Sequence, residues 1–398
     1  MQERVKTAAR WIVPVGLAAL AWGIYAATRG WTHHQYFVPL ADAFLHGRLY
    51  LVNPPGYLDE LVAVGGRYYV IFPPLPAVLL MPAVALWGPD LDQAWPSLTL
   101  AALCVPLVWF LARRLELKPE PSVWLAILLG FGTTFWYTGV EGSAWYTAHI
   151  VAVFFLLLGI LEALGRRRPF WMGLCLGLAA LSRLTVVLGL PFFLAMTYQG
   201  DDRRTTLKRW AGIGLGLALP LGLLAVYNHA RFGDPWTMGY HLIPHFLEEK
   251  TPLYEQTYKY GRVFDVRYLP RHVYAILFQP PVYVDRFPYF IPNWLGMGLF
   301  FTTPAFLRVF SAPWERVTRA AILAIALISI PIVTHGGIGD TQFGYRFSLD
   351  VTPFLLILLA RTFHRGFGWR ERLVILLSVL VNTWGVLSIN VFHNVRYQ

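Results

Sequence analysis

The chain is a succession of long apolar runs separated by short polar segments, and eleven of the runs approach or reach the length of a membrane crossing. They are Trp11 to Thr28, Ala94 to Ala112, Pro121 to Trp136, Ala148 to Leu164, Phe170 to Leu181, Thr185 to Tyr198, Ala211 to Tyr227, Trp294 to Phe310, Ala320 to Thr334, Ser348 to Ala360 and Leu373 to Asn390. Backbone groups in hydrocarbon need partners within their own segment, and the strict alternation of a membrane β-barrel is absent. The pattern therefore predicts an all-α, polytopic membrane protein with about 11 transmembrane helices. A further stretch, Val70 to Trp87, carries four prolines around a short apolar run, which suits a re-entrant or interfacial helix of the outer leaflet better than a span. Phe170 to Tyr198 has to cross twice in little length, which predicts a short hairpin with Arg183 at its tip.

Composition agrees, with 56% hydrophobic and 14% charged residues. The formal charge of +11 does not point to nucleic acid, because the cations sit in clusters between apolar runs rather than on one face. Twenty of the 33 Lys and Arg fall in six clusters, around residues 4–10, 113–118, 166–168, 203–209, 308–319 and 361–372, and the loops holding them contain only eight acids. One side of the membrane thus carries the positive excess and by the positive-inside tendency is cytoplasmic. That orientation puts the N-terminus inside a cell membrane, the C-terminus outside, and two long loops, 29–93 with its interfacial helices and 228–293, on the outer face. The run from Trp11 follows a basic start like a signal peptide but is long enough to span, and reads as an uncleaved anchor. RYLPRHVYAILF in the second loop is half-polar and predicts an interfacial amphipathic helix. No hydrophilic stretch is large enough to fold alone, so residues 1–398 form a single transmembrane domain. Cys104 and Cys175 lie in apolar runs and imply no disulfide or metal framework.

No phosphate-binding loop, zinc motif, nucleophile elbow or dinucleotide fingerprint is present. What remains is a set of ionisable residues at the outer ends of spans, among them His33, His34, Asp42, Arg48, Glu141, His149, Arg183, His335, Asp340, Arg346 and Asp350. Adjacent side chains diverge, so His33 with His34 makes a poor chelate.

The order HHQYFVPLADAFLHGRLYL, GRYYVIFPPLPAVLLMP, LCLGLAALSRLTVVLGLP and GDTQFGYRFSLDVTPFLLILLA resembles the GT-C fold glycosyltransferases, including protein O-mannosyltransferases and lipid A aminoarabinose transferases. The resemblance implies transfer of a sugar from a polyprenyl-phosphate carrier at the non-cytoplasmic face without a nucleotide, with membrane lipid around it and an acceptor glycan, lipid or protein. No cofactor is firmly implied, a divalent cation is left possible, and no metal ligand set is assigned. Such enzymes typically carry an acidic residue shortly before a Tyr of the first outer loop, but four and three residues before Tyr36 stand Thr32 and His33. The base is therefore expected to be Asp42, with His34 as understudy. Arg346 and Arg183, with Arg48 behind them, are expected to bind the donor phosphate, because a guanidinium fork meets phosphate oxygens bidentately and cannot lose its charge. Glu141, His149, Asp350 and Tyr36 stand as supporting residues. Each has a plainer role available: Asp42 as a helix cap, Arg183 as a snorkelling cation, Arg346 and Asp350 as a helix-end ion pair, Glu141 as a solvated turn residue. A transporter or flippase of a lipid-linked substrate, and a non-catalytic subunit of an envelope-assembly complex, are the rival functions. A transporter needs ionisable groups on broken helices near the midplane in matching halves, whereas here the charges collect at outer ends.

Overall fold

The structure, a computed structural model, describes residues 2–30, 34–58, 60–200, 202–242, 259–339 and 341–394. His33 and Asp340 lie outside the described residues. The first helices are α1 (Gln2–Ala27), α2 (Phe37–Leu45), α3 (Leu75–Trp87), α4 (Ala94–Arg114), α5 (Pro119–Gly132), α6 (Phe135–Glu141), α7 (Ala144–Leu164), α8 (Pro169–Ala180) and α9 (Leu190–Thr197). They are followed by α10 (Arg203–Phe232), α11 (Leu269–Leu277), α12 (Leu299–Thr302), α13 (Arg316–Val333), α14 (Thr352–Arg365) and α15 (Trp369–Val386). Two small antiparallel hairpins, β1 (Leu61–Val64) with β2 (Arg67–Val70) and β3 (Val282–Tyr283) with β4 (Phe290–Ile291), are the strands among the described residues.

Five helices are long and apolar enough to cross a membrane, α4, α7, α10, α13 and α15 with its continuation to Val391. A sixth span results if α5 and α6, bent by 51° at Thr133 and Thr134, count as one. The described helices therefore supply fewer full-length spans than the eleven expected. Three shorter apolar helical stretches, Trp11–Ala27, Pro169–Ala180 and Leu184–Thr197, stand where further spans were expected, and a fourth, Leu75–Trp87, falls on the stretch expected not to span. The run Trp294 to Phe310 is a correction: it folds not as one helix but as α12 and a 3-10 segment, Pro304–Ser311, separated by Thr303. The cause is local, since Pro304 has no N–H and forces its predecessor out of the helical region. The proline-rich stretch forms α3, whose 13 residues rise about 20 Å, short of the ~30 Å hydrocarbon core.

The interior follows the apolar content. Two thirds of the apolar window of α7 (67%) and half of that of α4 is buried, against 33% for α10, α13 and α15, so α4 and α7 run through the middle. α8 lies against both α7 and α10. Glycines set the closeness of α8 to α10: a Cβ on Gly173 would overlap the Ile213 carbonyl, and one on Gly216 the Phe170 carbonyl. Without hydrophobic drive between helices in lipid, such small-residue contacts carry the packing. α2 and α3 pack together as a separate layer, with Tyr36, Phe37, Leu40, Phe72, Leu80 and Val84 in its core. The β1–β2 hairpin turns at Gly65 and Gly66, both with positive φ, in the register Leu61 to Val70 and Val64 to Arg67.

Candidate active site

The site is assembled around the first turns of α7. Gly142, held at φ 74° where a Cβ would overlap Ala94, ends α6 and turns the chain so that α7 starts at Ala144. The Ala144 N–H donates to the His34 carbonyl (3.0 Å), which ties this start to the first outer loop. Gln93 completes the tie: its Nε2 donates to Gly142 O (2.7 Å) and Thr147 Oγ1 (3.3 Å), while its Oε1 accepts from the Phe37 N–H (3.0 Å). α7 thereby presents Trp145, Tyr146 and His149 in two successive turns, with Trp145 and His149 on one face.

Asp350 is the hub. It is fully buried at the end of a 3-10 turn, Arg346–Asp350, and its carboxylate accepts from His149 Nδ1 (2.8 Å), Thr185 Oγ1 (2.8 Å), Arg183 Nη2 (3.0 Å) and Arg183 Nε (3.3 Å). The ion pair expected between Arg346 and Asp350 is thus not the one formed; the 3-10 geometry turns the two side chains to different neighbours, and Asp350 pairs across the bundle. Arg183 stands at the joint between α8 and the 3-10 turn Leu184–Gly189, as expected for a hairpin tip, but it is only 23% exposed and bound to Asp350 rather than snorkelling to lipid headgroups. The carboxylate fixes His149 with Nδ1 protonated, and His149 Nε2 is buried without a hydrogen-bond partner among the described residues.

Arg346 is buried, donates to the Tyr146 hydroxyl (3.3 Å) and lies 5.0 Å from the Tyr146 ring centroid. The ring of Phe347 receives both cations, Arg346 at 5.2 Å and Arg183 at 5.5 Å, which brings the two nominated phosphate ligands together on one aromatic platform. The segment leading to Arg346 and Phe347 is anchored by the Tyr137 and Tyr146 hydroxyls, which both donate to Thr341 O. Beneath it, His272 of α11 donates from Nε2 to His335 O (2.7 Å) and accepts at Nδ1 from the Tyr345 hydroxyl (2.6 Å). Burial pushes His272 down to about 4 and holds the Tyr345 hydroxyl well above its ordinary value. Burial also lowers His335, and the positive charge of Arg183 and Arg346 adds to that.

The first outer loop divides. Asp42 and Arg48 hold each other at 3.9 Å, with His46 3.5 Å from Asp42, and among the described residues no hydrogen bond or ion pair joins them to Asp350, Arg183 or Arg346. Tyr36 is buried and its hydroxyl accepts from the Glu60 N–H (3.1 Å). The Glu60 carboxylate accepts from Trp145 Nε1 (2.9 Å), and the His34 ring lies 4.8 Å from that indole. Glu141 is buried against Gly30 rather than solvated, because the turn after α6 folds inward onto the end of α1. Sequence reasoning did not nominate Glu60, Trp145, Tyr146, Thr185 or Phe347. The i, i+4 spacing of Trp145 and His149 is the signal that would have found the α7 face. Among the described residues no group of three or more His, Cys, Asp and Glu is placed to hold a metal ion.

Residues 69–257 match the model of glycosyltransferase family 87. A curated relative, the polyprenol-phosphate-mannose-dependent alpha-(1-2)-phosphatidylinositol mannoside mannosyltransferase of Mycobacterium tuberculosis, is 27% identical over 241 residues, covering 58% of this chain and 53% of the relative. Among solved structures, ArnT from Cupriavidus metallidurans bound to undecaprenyl phosphate superposes with a TM-score of 0.54 at 14% identity, over 94% of this chain and 63% of ArnT. Apo ArnT gives 0.53 at 15% identity. The chain thus spans about half the length of its curated relative, and it has the fold of ArnT, a polytopic GT-C membrane enzyme. The resemblance read from the sequence motifs is borne out.

Proposed function

We propose that this chain is a polyprenyl-phosphate-sugar-dependent glycosyltransferase that moves a sugar onto an acceptor hydroxyl at the non-cytoplasmic membrane face, with inversion at the anomeric carbon. The observation that carries the reading is the pairing of Arg183 and Arg346 on the Phe347 ring, at the ends of helices that are otherwise apolar. A buried and a half-buried guanidinium group in a low-dielectric setting are suited to a phosphodiester and to the extra negative charge it gains on departure. The relative's dependence on polyprenol-phosphate-mannose and the undecaprenyl phosphate bound to ArnT support a lipid-phosphate donor.

In the reaction the acceptor oxygen attacks the anomeric carbon, the bond from that carbon to the phosphate oxygen breaks, and its electron pair stays with polyprenyl phosphate. The arginines stabilise that charge, while a carboxylate of the first outer loop takes the hydroxyl proton. Tyr146 fixes Arg346 and Asp350 fixes Arg183, so both cations are oriented before substrate arrives. The outer face is supported by the helix directions. α7 reaches the site with its N-terminal end, α13 with its C-terminal end and α14 with its N-terminal end, and in each case the opposite end carries a basic cluster.

The test is to incubate the purified protein with a panel of labelled polyprenyl-phosphate sugars and lipid or glycan acceptors. At least one donor is expected to give labelled product and free polyprenyl phosphate, with Arg346→Ala lowering kcat/KM by about tenfold to a hundredfold, the worth of a hydrogen bond to a charged group. No turnover of any donor by the wild type contradicts the reading.

A further inference from the structure

We propose that the chain holds the phosphate of an anionic phospholipid in a cleft at the end of the bundle opposite the arginine pair. α14 connects the two places. It starts at Thr352, just after Asp350, and its 14 residues rise about 21 Å to Arg365, where a cavity of about 530 Å³ opens. Such a volume falls within the ~300–1,000 Å³ range of small-molecule sites. Its walls are the 3-10 segment Pro304–Ser311, the last turn of α14 and the link through Gly366, Phe367 and Gly368 into α15. Two hydrogen bonds tie the walls together: Thr362 Oγ1 donates to the Arg308 carbonyl (3.2 Å), and the Gly368 N–H donates to Glu371 Oε2 (2.9 Å).

The cavity is electropositive. Arg308 and Arg365 line it against a single carboxylate, Glu371. That carboxylate is engaged on both oxygens, Oε2 by Gly368 and Oε1 by Arg308 Nη2 (2.9 Å). Neighbouring arginines are matched by acids, Arg361 by Glu315 and Arg372 by Glu120. Arg365, by contrast, is exposed and has no carboxylate partner among the described residues. Nor is Arg308 saturated, since its Nε is buried without a hydrogen-bond partner among the described residues. Arginines at this end also orient the chain in the membrane, but orientation requires no cavity. A phosphate supplies the negative charge that the two guanidinium groups lack. A zwitterionic headgroup would bring its own cation beside them while Glu371 is already occupied, so the cavity selects an anionic one.

The surroundings point to a lipid rather than a dissolved anion. Trp314 follows the 3-10 segment and Trp369 follows Gly368, and both indoles are strongly exposed, as in the aromatic belts at membrane surfaces. The 3-10 segment exposes Leu307 and Phe310, α15 exposes Leu373, Leu377 and Leu380, and the two elements pack together. A headgroup seated in the cavity therefore has apolar surface beside it for its acyl chains, the arrangement of basic headgroup sites between membrane helices.

The experiment titrates the full chain, purified in detergent and stripped of lipid, with dioleoylphosphatidylglycerol or dioleoylphosphatidylcholine, counting bound lipid by native mass spectrometry and using inorganic phosphate as competitor. Arg365→Ala removes the unmatched cation. Gly366→Phe fills the cavity without changing charge, at a residue whose Cβ would meet nothing within 4 Å. Arg166→Ala removes an exposed cation between α7 and α8, outside the cavity lining. Wild type is expected to prefer phosphatidylglycerol. Arg365→Ala and Gly366→Phe should each weaken that binding about tenfold, the worth of a hydrogen bond to a charged group, with melting temperatures near wild type, while Arg166→Ala binds as wild type does. Equal binding of the two lipids, equal affinity in the three variants, or displacement of phosphatidylglycerol by inorganic phosphate at equal concentration overturns the proposal. No sugar donor enters the measurement, so its failure leaves the transfer reading standing.

Discussion

Arg183, Arg346, His149 and Asp350 show what a buried charge costs and how the chain offsets it. Removing a carboxylate from a buried pair leaves an uncompensated cation, at about 3–5 kcal/mol. Asp350→Asn keeps the shape of the side chain and loses only its charge, so its melting temperature is expected to fall well below wild type. Undecaprenyl phosphate should then raise the melting temperature of Asp350→Asn more than that of wild type, because the phosphate supplies the missing negative charge beside Arg183. Equal shifts in the two proteins contradict this placement of the phosphate. His272 gives a second prediction at this scale. Its folded value, about 4, lies below the unfolded value near 6.5, so the unfolded chain takes up a proton first as pH falls. The stability it contributes is present above pH ~6.5 and is lost between there and pH ~4, at about 1.4 kcal/mol per unit and about 3 kcal/mol in all. Thermal melts across that range should fall more steeply for wild type than for His272→Gln; parallel curves contradict it.

Among the elements, α8 and α10 decide where Arg183 stands, since α8 ends just before it. Gly173 and Gly216 let the two backbones meet, and a Cβ at either position would overlap backbone atoms of the facing helix, which cannot swing aside as a side chain can. Gly216→Leu is expected to destabilise the protein by about 1–3 kcal/mol through overpacking and to weaken undecaprenyl phosphate binding, because α8 carries Arg183 away with it. Gly214→Ala and Gly222→Ala, on the same helix with nothing within 4 Å, should leave binding unchanged and the melting temperature no lower than wild type. Thermal denaturation of the three variants checks this. Elements were also where sequence reading met its limits. The runs that became α4, α7, α10 and α13 were legible, because apolar content over some twenty residues dominates every local preference. The break at Thr303 and Pro304 was not, since an apolar composition hides a backbone that has left the helix. The Gly65–Gly66 turn carries a hairpin signal, but strands of four residues beside a long apolar run are too short to stand out in the pattern.

At the scale of the whole molecule, the charge clusters and the site lie at opposite ends of the same helices, and that polarity was readable from the sequence. The composition of the site was readable only in part. Arg183 and Arg346 could be named, because an Arg beside a span has few uses. Their partners could not, since His149 and Asp350 are 201 residues apart and meet only once α7 and the 3-10 turn before α14 are packed. Asp42 is the carboxylate nearest to Tyr36 in the chain, but the Tyr36 hydroxyl accepts from the backbone N–H of Glu60, 24 residues on. Sequence distance is a poor guide inside an outer loop that folds back on itself through a hairpin. The central claim is that the arginine pair holds the phosphate of a polyprenyl carrier. It is tested most directly by the affinity of the purified protein for undecaprenyl phosphate and for undecaprenol, which lacks the phosphate, in wild type and in Arg183→Ala/Arg346→Ala. Undecaprenyl phosphate should bind wild type at least about tenfold more tightly than the double variant, with undecaprenol binding the two alike; equal affinity of both proteins for undecaprenyl phosphate would contradict the account.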